Sequence, residues 1–147
     1  MTKTLTQYLM TACSLTGLLL SGYLTYFSSQ AQLVCDLSAL LNCDAVLGSV
    51  YSKVYGVPVS AFGLIWFSLA ATLSFTSFFK TIPSKLFLSW SIVGVLSVTA
   101  LVYTEVFLIG AICLLCTATH ILVIVFLALS LVYWIRKKSR GLLSISS

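Results

Sequence analysis

The amino-acid sequence predicts an all-α membrane protein: a bundle of four transmembrane helices in a single domain, residues 1–147, with one long extracytoplasmic loop between the first helix and the second. Three observations predict it. Hydrophobic residues fill 60% of the 147 positions and charged residues only 7%, where a soluble domain carries about 25% charged; the mean hydropathy is +1.11. The apolar residues gather into four runs, and at about 1.5 Å per residue each reaches most or all of the way across a hydrocarbon core of roughly 30 Å. Finally, the basic residues fall almost entirely at one side of those runs.

The first run, Tyr8 to Phe27, is uncharged and makes the first span. Lys3, an apolar stretch and small residues near Ser29 also resemble a secretory leader. Leader cores are only about 7 to 15 residues long, so this longer run is expected to stay as a span. The second span is expected over residues 62–79, the third over 86–109 and the fourth over 113–135. Ser60 is the expected N-cap of the second. Only a few residues around Pro83 join the second span to the third, so those two are expected to be antiparallel neighbours, and Gly110 joins the third to the fourth as tightly.

Lys3, Lys80, Lys85 and the basic tail after Ile135 (residues 136–147, with Arg136, Lys137, Lys138 and Arg140) are seven of the eight basic residues, and one orientation accounts for all of them. Basic loops stay on the cytoplasmic side, which puts both termini in the cytoplasm and residues 30–60 outside. The net charge of +5 therefore reads as membrane orientation, with the lipid bilayer as partner and no nucleic acid.

Five cysteines occur. Cys13 lies about 14 residues, or roughly 21 Å, below the outer end of its helix, too deep for a disulfide whose Cα atoms must come within about 7 Å. It reads as a small buried apolar residue. Cys35, Cys43, Cys113 and Cys116 all fall on the outer side, by an argument that used only lysines and arginines. An exterior compartment is oxidising, and four cysteines permit three pairings. A Cys-x-x-Cys pair favours exchange chemistry, while a static bridge and a four-thiolate metal site remain alternatives.

The stretch Gly110 to His120 organises the rest. Positions 113, 116 and 120 follow the i, i+3, i+7 spacing, so two thiols and the single histidine are expected on one helix face where water meets lipid. At a helix start, free N–H groups and the macrodipole favour a thiolate. His120, an ionisable residue at membrane depth, reads as a ligand residue. Dithiol chemistry in that place points to electron exchange with a membrane-soluble carrier.

The pattern Cys35-Asp36, a seven-residue gap to Cys43, Ser49, then Gly56-Val-Pro-Val-Ser-Ala-Phe-Gly63 and Cys113-Leu-Leu-Cys116 resembles the vitamin K epoxide reductase family over essentially the whole chain. The Val-Pro-Val-Ser-Ala-Phe-Gly run is similar to its bacterial branch. The resemblance implies a four-helix bundle around a quinone, with Cys116 facing the quinone, Cys113 exchanging with Cys43, and Cys35 meeting a protein dithiol. Ser49, Val59, Phe62 and His120 match substrate-pocket positions. Val59 stands where vertebrate relatives carry asparagine and His120 where they carry tyrosine, which weakens the implication of epoxide reduction.

Many bacterial relatives carry a fused thioredoxin-like domain. This chain ends at Ser147, so a separate thioredoxin-like periplasmic protein is the expected partner. The expected activity is that of a quinone-dependent thiol oxidoreductase of the bacterial inner membrane, supporting disulfide formation. Its acceptor is a quinone of the ubiquinone, menaquinone or phylloquinone type, and no metal is expected. The alternatives are reduction of vitamin K quinone or epoxide as the main task and, in a different class, a metal-binding membrane module.

Overall fold

A computed structural model of the chain describes residues 2–28, 42–80 and 82–143. Four long helices carry it: α1 (Thr2–Ser28), α3 (Val59–Phe79), α4 (Ser84–Tyr103) and α5 (Leu114–Leu143). Between α1 and α3 lie a short helix α2 (Cys43–Leu47), a 3₁₀ turn (Val50–Ser52) and a two-stranded hairpin of β1 (Lys53–Val54) and β2 (Val57–Pro58). Four helical segments, 4–28, 59–79, 84–109 and 114–139, are long and apolar enough to cross a membrane, in agreement with the four expected spans. The long loop was expected over residues 30–60; its first part, with Cys35, lies outside the described residues.

Element boundaries differ from expectation where local chemistry outweighs the hydropathy pattern. α3 begins at Val59, with Pro58 in the N-cap position, because the hairpin delivers the chain directly into the helix. Ser60, expected as the N-cap, is already inside the first turn, and its hydroxyl oxygen accepts from Thr25 Oγ1 at 3.1 Å. The third span departs from α geometry at Thr104, widens into a π-helix over Thr104–Ile109, and stops at Gly110. Gly110 has φ +71°, a left-handed conformation that glycine adopts without strain, and its N–H closes the wide turn on the Glu105 carbonyl at 3.0 Å. α5 runs past Ile135 through the basic residues, which are good helix formers.

The hydrocarbon core supplies no water, so polar groups must be satisfied within the protein. Most helical hydroxyls do this locally: Thr11, Ser14, Ser68, Thr76 and Ser91, among others, donate to the carbonyl one turn back. A few also tie helices together. The Ser91 and Ser130 hydroxyl oxygens meet at 2.9 Å between α4 and α5, and Gln7 Nε2 donates to the Ser77 carbonyl at 2.8 Å between α1 and α3. At the end carrying both termini, Arg136 donates to Thr6 Oγ1 and Lys137 to the Ile82 carbonyl.

α1 packs along α3 and α5, and α4 packs along α5. The expected α3–α4 neighbours share a short turn yet touch little along their length. The core of Met10, Cys13, Ala70, Phe87, Phe126 and Tyr133 fills the half near the termini, and stacked Trp66 and Trp90, with centroids 6.1 Å apart, bridge α3 and α4. Outward residues such as Leu19, Ile65, Leu96 and Ile124 stay exposed and apolar, as lipid contact requires. Cys13 is buried as expected, its thiol donating to the Leu122 carbonyl at 3.3 Å.

Where α1 crosses α3, a Cβ on Gly17 would collide with the Phe67 ring. Gly17→Ala is therefore expected to destabilise the bundle by about 1–3 kcal/mol, the range for overpacking, while Cys13→Ala shifts stability by about 1 kcal/mol at most. Thermal unfolding of the detergent-solubilised variants checks both; Gly17→Ala melting with the parent would contradict the packing.

Candidate active site

The site begins where two chain segments meet at the end of the bundle opposite the termini. The Asn42 N–H donates to the Ile112 carbonyl at 3.2 Å, pinning the interhelix loop to the residues just before α5. The same asparagine caps α2: its extended backbone and its Oδ1, accepting from the Ala45 N–H at 2.8 Å, start the helix at the next residue. That next residue is Cys43. Held this way, Cys43 packs with Leu24, Val46, Ala111 and Cys113 in a small buried cluster that Cys116 borders.

Cys113 occupies the N-cap position of α5. Its carbonyl accepts the Thr117 N–H at 2.9 Å, the first helical bond, and its sulfur accepts the Cys116 N–H at 3.2 Å, as a serine or aspartate oxygen does at an ordinary cap. The side chain is fully buried. The Cys116 thiol donates to Cys113 and lowers its pKa most strongly; burial opposes this, and the Cys116 N–H, the Cys43 thiol and the Leu115 N–H reinforce it, bringing the group from 9.0 to about 6. Cys113 thus has a thiol hydrogen-bonded on either side, Cys43 from the loop and Cys116 from its own helix. Among the described residues, Cys43, Cys113 and Cys116 are not joined by a disulfide.

Below this row opens a cavity of about 510 Å³, within the range of small-molecule sites. It occupies the gap between α3 and α4. Phe62, Trp66, Val98, Leu101 and Val123 make apolar walls, Val46, Leu47, Tyr51 and Val54 come from the loop side, and Cys116, Thr119 and His120 face in from α5. One carboxylate, Glu105, joins them from the π-helical segment.

Of the sequence-predicted residues, the structure brings Cys116, His120, Val59 and Phe62 to the cavity, and Cys43 and Cys113 to its edge. Cys35 lies outside the described residues. Ser49 does not line the cavity; it holds the N-cap position of the 3₁₀ turn and its hydroxyl donates to the Val46 carbonyl at 2.8 Å. The expected single wall of 113, 116 and 120 is divided. Cys116 and His120 share the cavity face, but Cys113 sits at the cap, where the backbone has not yet entered the helix, and meets the loop cluster instead.

Glu105 lines the cavity although no sequence motif singles it out. Its signal was present: the buried positions of α4, Phe87, Ser91, Gly94 and Val98, step by three and four, and the same stepping through Leu101 arrives at Glu105. Among the described residues, no group of three or more His, Cys, Asp or Glu side chains is arranged to hold a metal ion.

Compared with known protein families, residues 8–131 match the model of the Vitamin K epoxide reductase family.

The thiolate is the form that reacts with alkylating agents, so a pKa lowered to about 6 predicts that Cys113 alkylation rises through that pH and levels off above about pH 7. Removing the main donor in Cys116→Ala should move the midpoint upward toward the ordinary thiol value. Mass-spectrometric alkylation rates across pH check this, and an unmoved midpoint would contradict the assigned hydrogen bond.

Proposed function

The chain belongs to the vitamin K epoxide reductase family, and we propose that it acts there as a quinone-dependent thiol-disulfide oxidoreductase, reoxidising a separate thioredoxin-like partner and passing the electrons to a membrane quinone. The observation that carries this reading is the relay order of the sulfurs. Cys116 lines an apolar cavity, Cys113 adjoins Cys116, and Cys43 from the loop adjoins Cys113.

Each step is a balanced exchange. With quinone in the cavity, the Cys113 and Cys116 sulfurs join in a disulfide; the two electrons and two protons they give up convert the quinone to hydroquinone. The Cys43 thiolate then attacks the Cys113 sulfur, forming a Cys43–Cys113 bond and releasing Cys116 as a thiolate, which takes up the proton that Cys43 gave up. Cys35 attacks Cys43 in turn, which frees Cys113 and leaves a Cys35–Cys43 disulfide. The partner's dithiol reduces that disulfide and is itself oxidised. The sum is partner dithiol plus quinone giving partner disulfide plus hydroquinone. His120, Val59 and Phe62 would meet the ring or its substituents, and Ser49 would act on the pocket through the loop turn that it caps.

The distribution of basic residues supports an orientation with both termini in the cytoplasm and the cysteine loop outside, as in a bacterial inner membrane. Disulfide formation in exported proteins is the process such an orientation serves. The apolar side chain at Val59, where a polar contact to an epoxide oxygen would be needed, supports quinone over epoxide as the main substrate.

Cys116→Ser is expected to lower quinone reduction by a factor of roughly 10³ or more, since it removes a reacting sulfur, while disulfide exchange at the loop persists. Quinone absorbance and thiol trapping follow the two separately, and a Cys116→Ser protein that still reduces quinone would overturn the reading. For the orientation, a cysteine placed at Val50, 83% exposed, should be labelled by an impermeant maleimide in intact cells; labelling only after the inner face is opened would reverse the topology.

A further inference from the structure

The inward stripe of α4 carries small or apolar side chains and one serine until it reaches Glu105, which is 6% exposed. Of the six residues of the π-helical segment it is the one that is buried. Its carboxyl group faces the backbone N–H of Cys113 and feels the charge of Cys113, and its own charge is felt at Cys116. Glu105 also lines the cavity, whose lining among the described residues includes no lysine or arginine. The titratable side chains around it are the thiols of Cys113 and Cys116, His120 of α5 and Tyr51 of the loop. A carboxylate buried at membrane depth without a basic residue in its cavity marks a functional group, and π-helical turns recur at functional sites.

Quinone reduction needs protons as well as electrons, in a chamber whose walls are apolar. Resting on the oxidoreductase reading above, we infer that Glu105 is the acid–base residue of the quinone site, carrying the Cys116 thiol proton to a ring oxygen. As the S–S bond forms between Cys113 and Cys116, two electrons leave the sulfurs and enter the ring. The Cys116 proton passes to the Glu105 carboxylate and from there to one ring oxygen, which regenerates the carboxylate. The second proton comes from water at the outer face, where Cys113 has released its own. One disulfide and one hydroquinone result, with charge conserved.

The test uses the full chain, reduced and held in detergent, mixed rapidly with decylubiquinone. Glu105→Gln keeps an oxygen to accept the Cys113 N–H but cannot take up and release a proton, so a merely structural role would survive it. The expected result is single-turnover reduction slowed on the order of 100-fold, the usual scale of acid–base assistance, with quinone affinity and loop exchange within about threefold of the parent. Glu105→Asp, a shorter carboxyl, should recover at least about tenfold of that loss. Glu105→Gln reducing quinone within about threefold of the parent, or Glu105→Asp no faster than Glu105→Gln, overturns the assignment. If Glu105→Gln loses loop exchange and hence its fold, Glu105→Asp decides alone. A solvent deuterium isotope effect larger than the parent's supports proton transfer through this carboxyl, and an unchanged one overturns it. A parent protein that reduces no quinone would instead overturn the oxidoreductase reading itself.

Discussion

A sulfur atom standing in for the oxygen of a helix cap is the contact on which the site depends. An N-cap residue keeps an extended backbone while the residues after it turn helical, so Cys113 stands just outside the helix and Cys116 inside its first turn, with their thiols still in contact. Cys113 meets the loop, and Cys116, one turn inside α5, meets the cavity. The bond from the Cys116 N–H to the Cys113 sulfur holds Cys113 at the cap and favours the thiolate at the same time. Cap geometry thus turns a Cys-x-x-Cys pair into a junction between two environments.

Such a junction is useful only if something stands on each side of it. On the loop side, Asn42 both bridges to Ile112 and caps α2, so a single residue determines where Cys43 is and which way its helix runs. On the membrane side, the cavity exists because α3 and α4, though consecutive, lean on other partners: α3 on α1, and α4 on α5. The stacked tryptophans Trp66 and Trp90 close the gap below. The bundle is full near the termini and hollow beneath the thiols.

The polar residues of the spans separate into two kinds by the same solvent argument. Hydroxyls satisfied by a carbonyl one turn back cost little in lipid and are spread along every helix. Glu105 and His120 cannot be satisfied so cheaply. Both are buried and both face the cavity, where a polar ligand atom could meet them. Their placement is of a piece with that of Cys116, which shares the same wall.

The class of fold, the number of spans and the burial of Cys13 were legible in the sequence, because exclusion of water from a bilayer constrains composition over every stretch of about 20 residues. The spacing of Cys43, Cys113 and Cys116 and the presence of His120 at one end of the bundle were legible for the same reason: topology alone brings those positions together. Only the tertiary structure decided that Cys113 turns away from the wall shared by Cys116 and His120, that Ser49 caps a turn instead of lining the cavity, that α3 and α4 part to leave a chamber, and that Glu105 is inside it. The cap and the π-helical widening rest on local bonds that a hydropathy pattern does not encode, and the unequal packing of the four helices is set by contacts between residues far apart in the chain, which periodicity does not record.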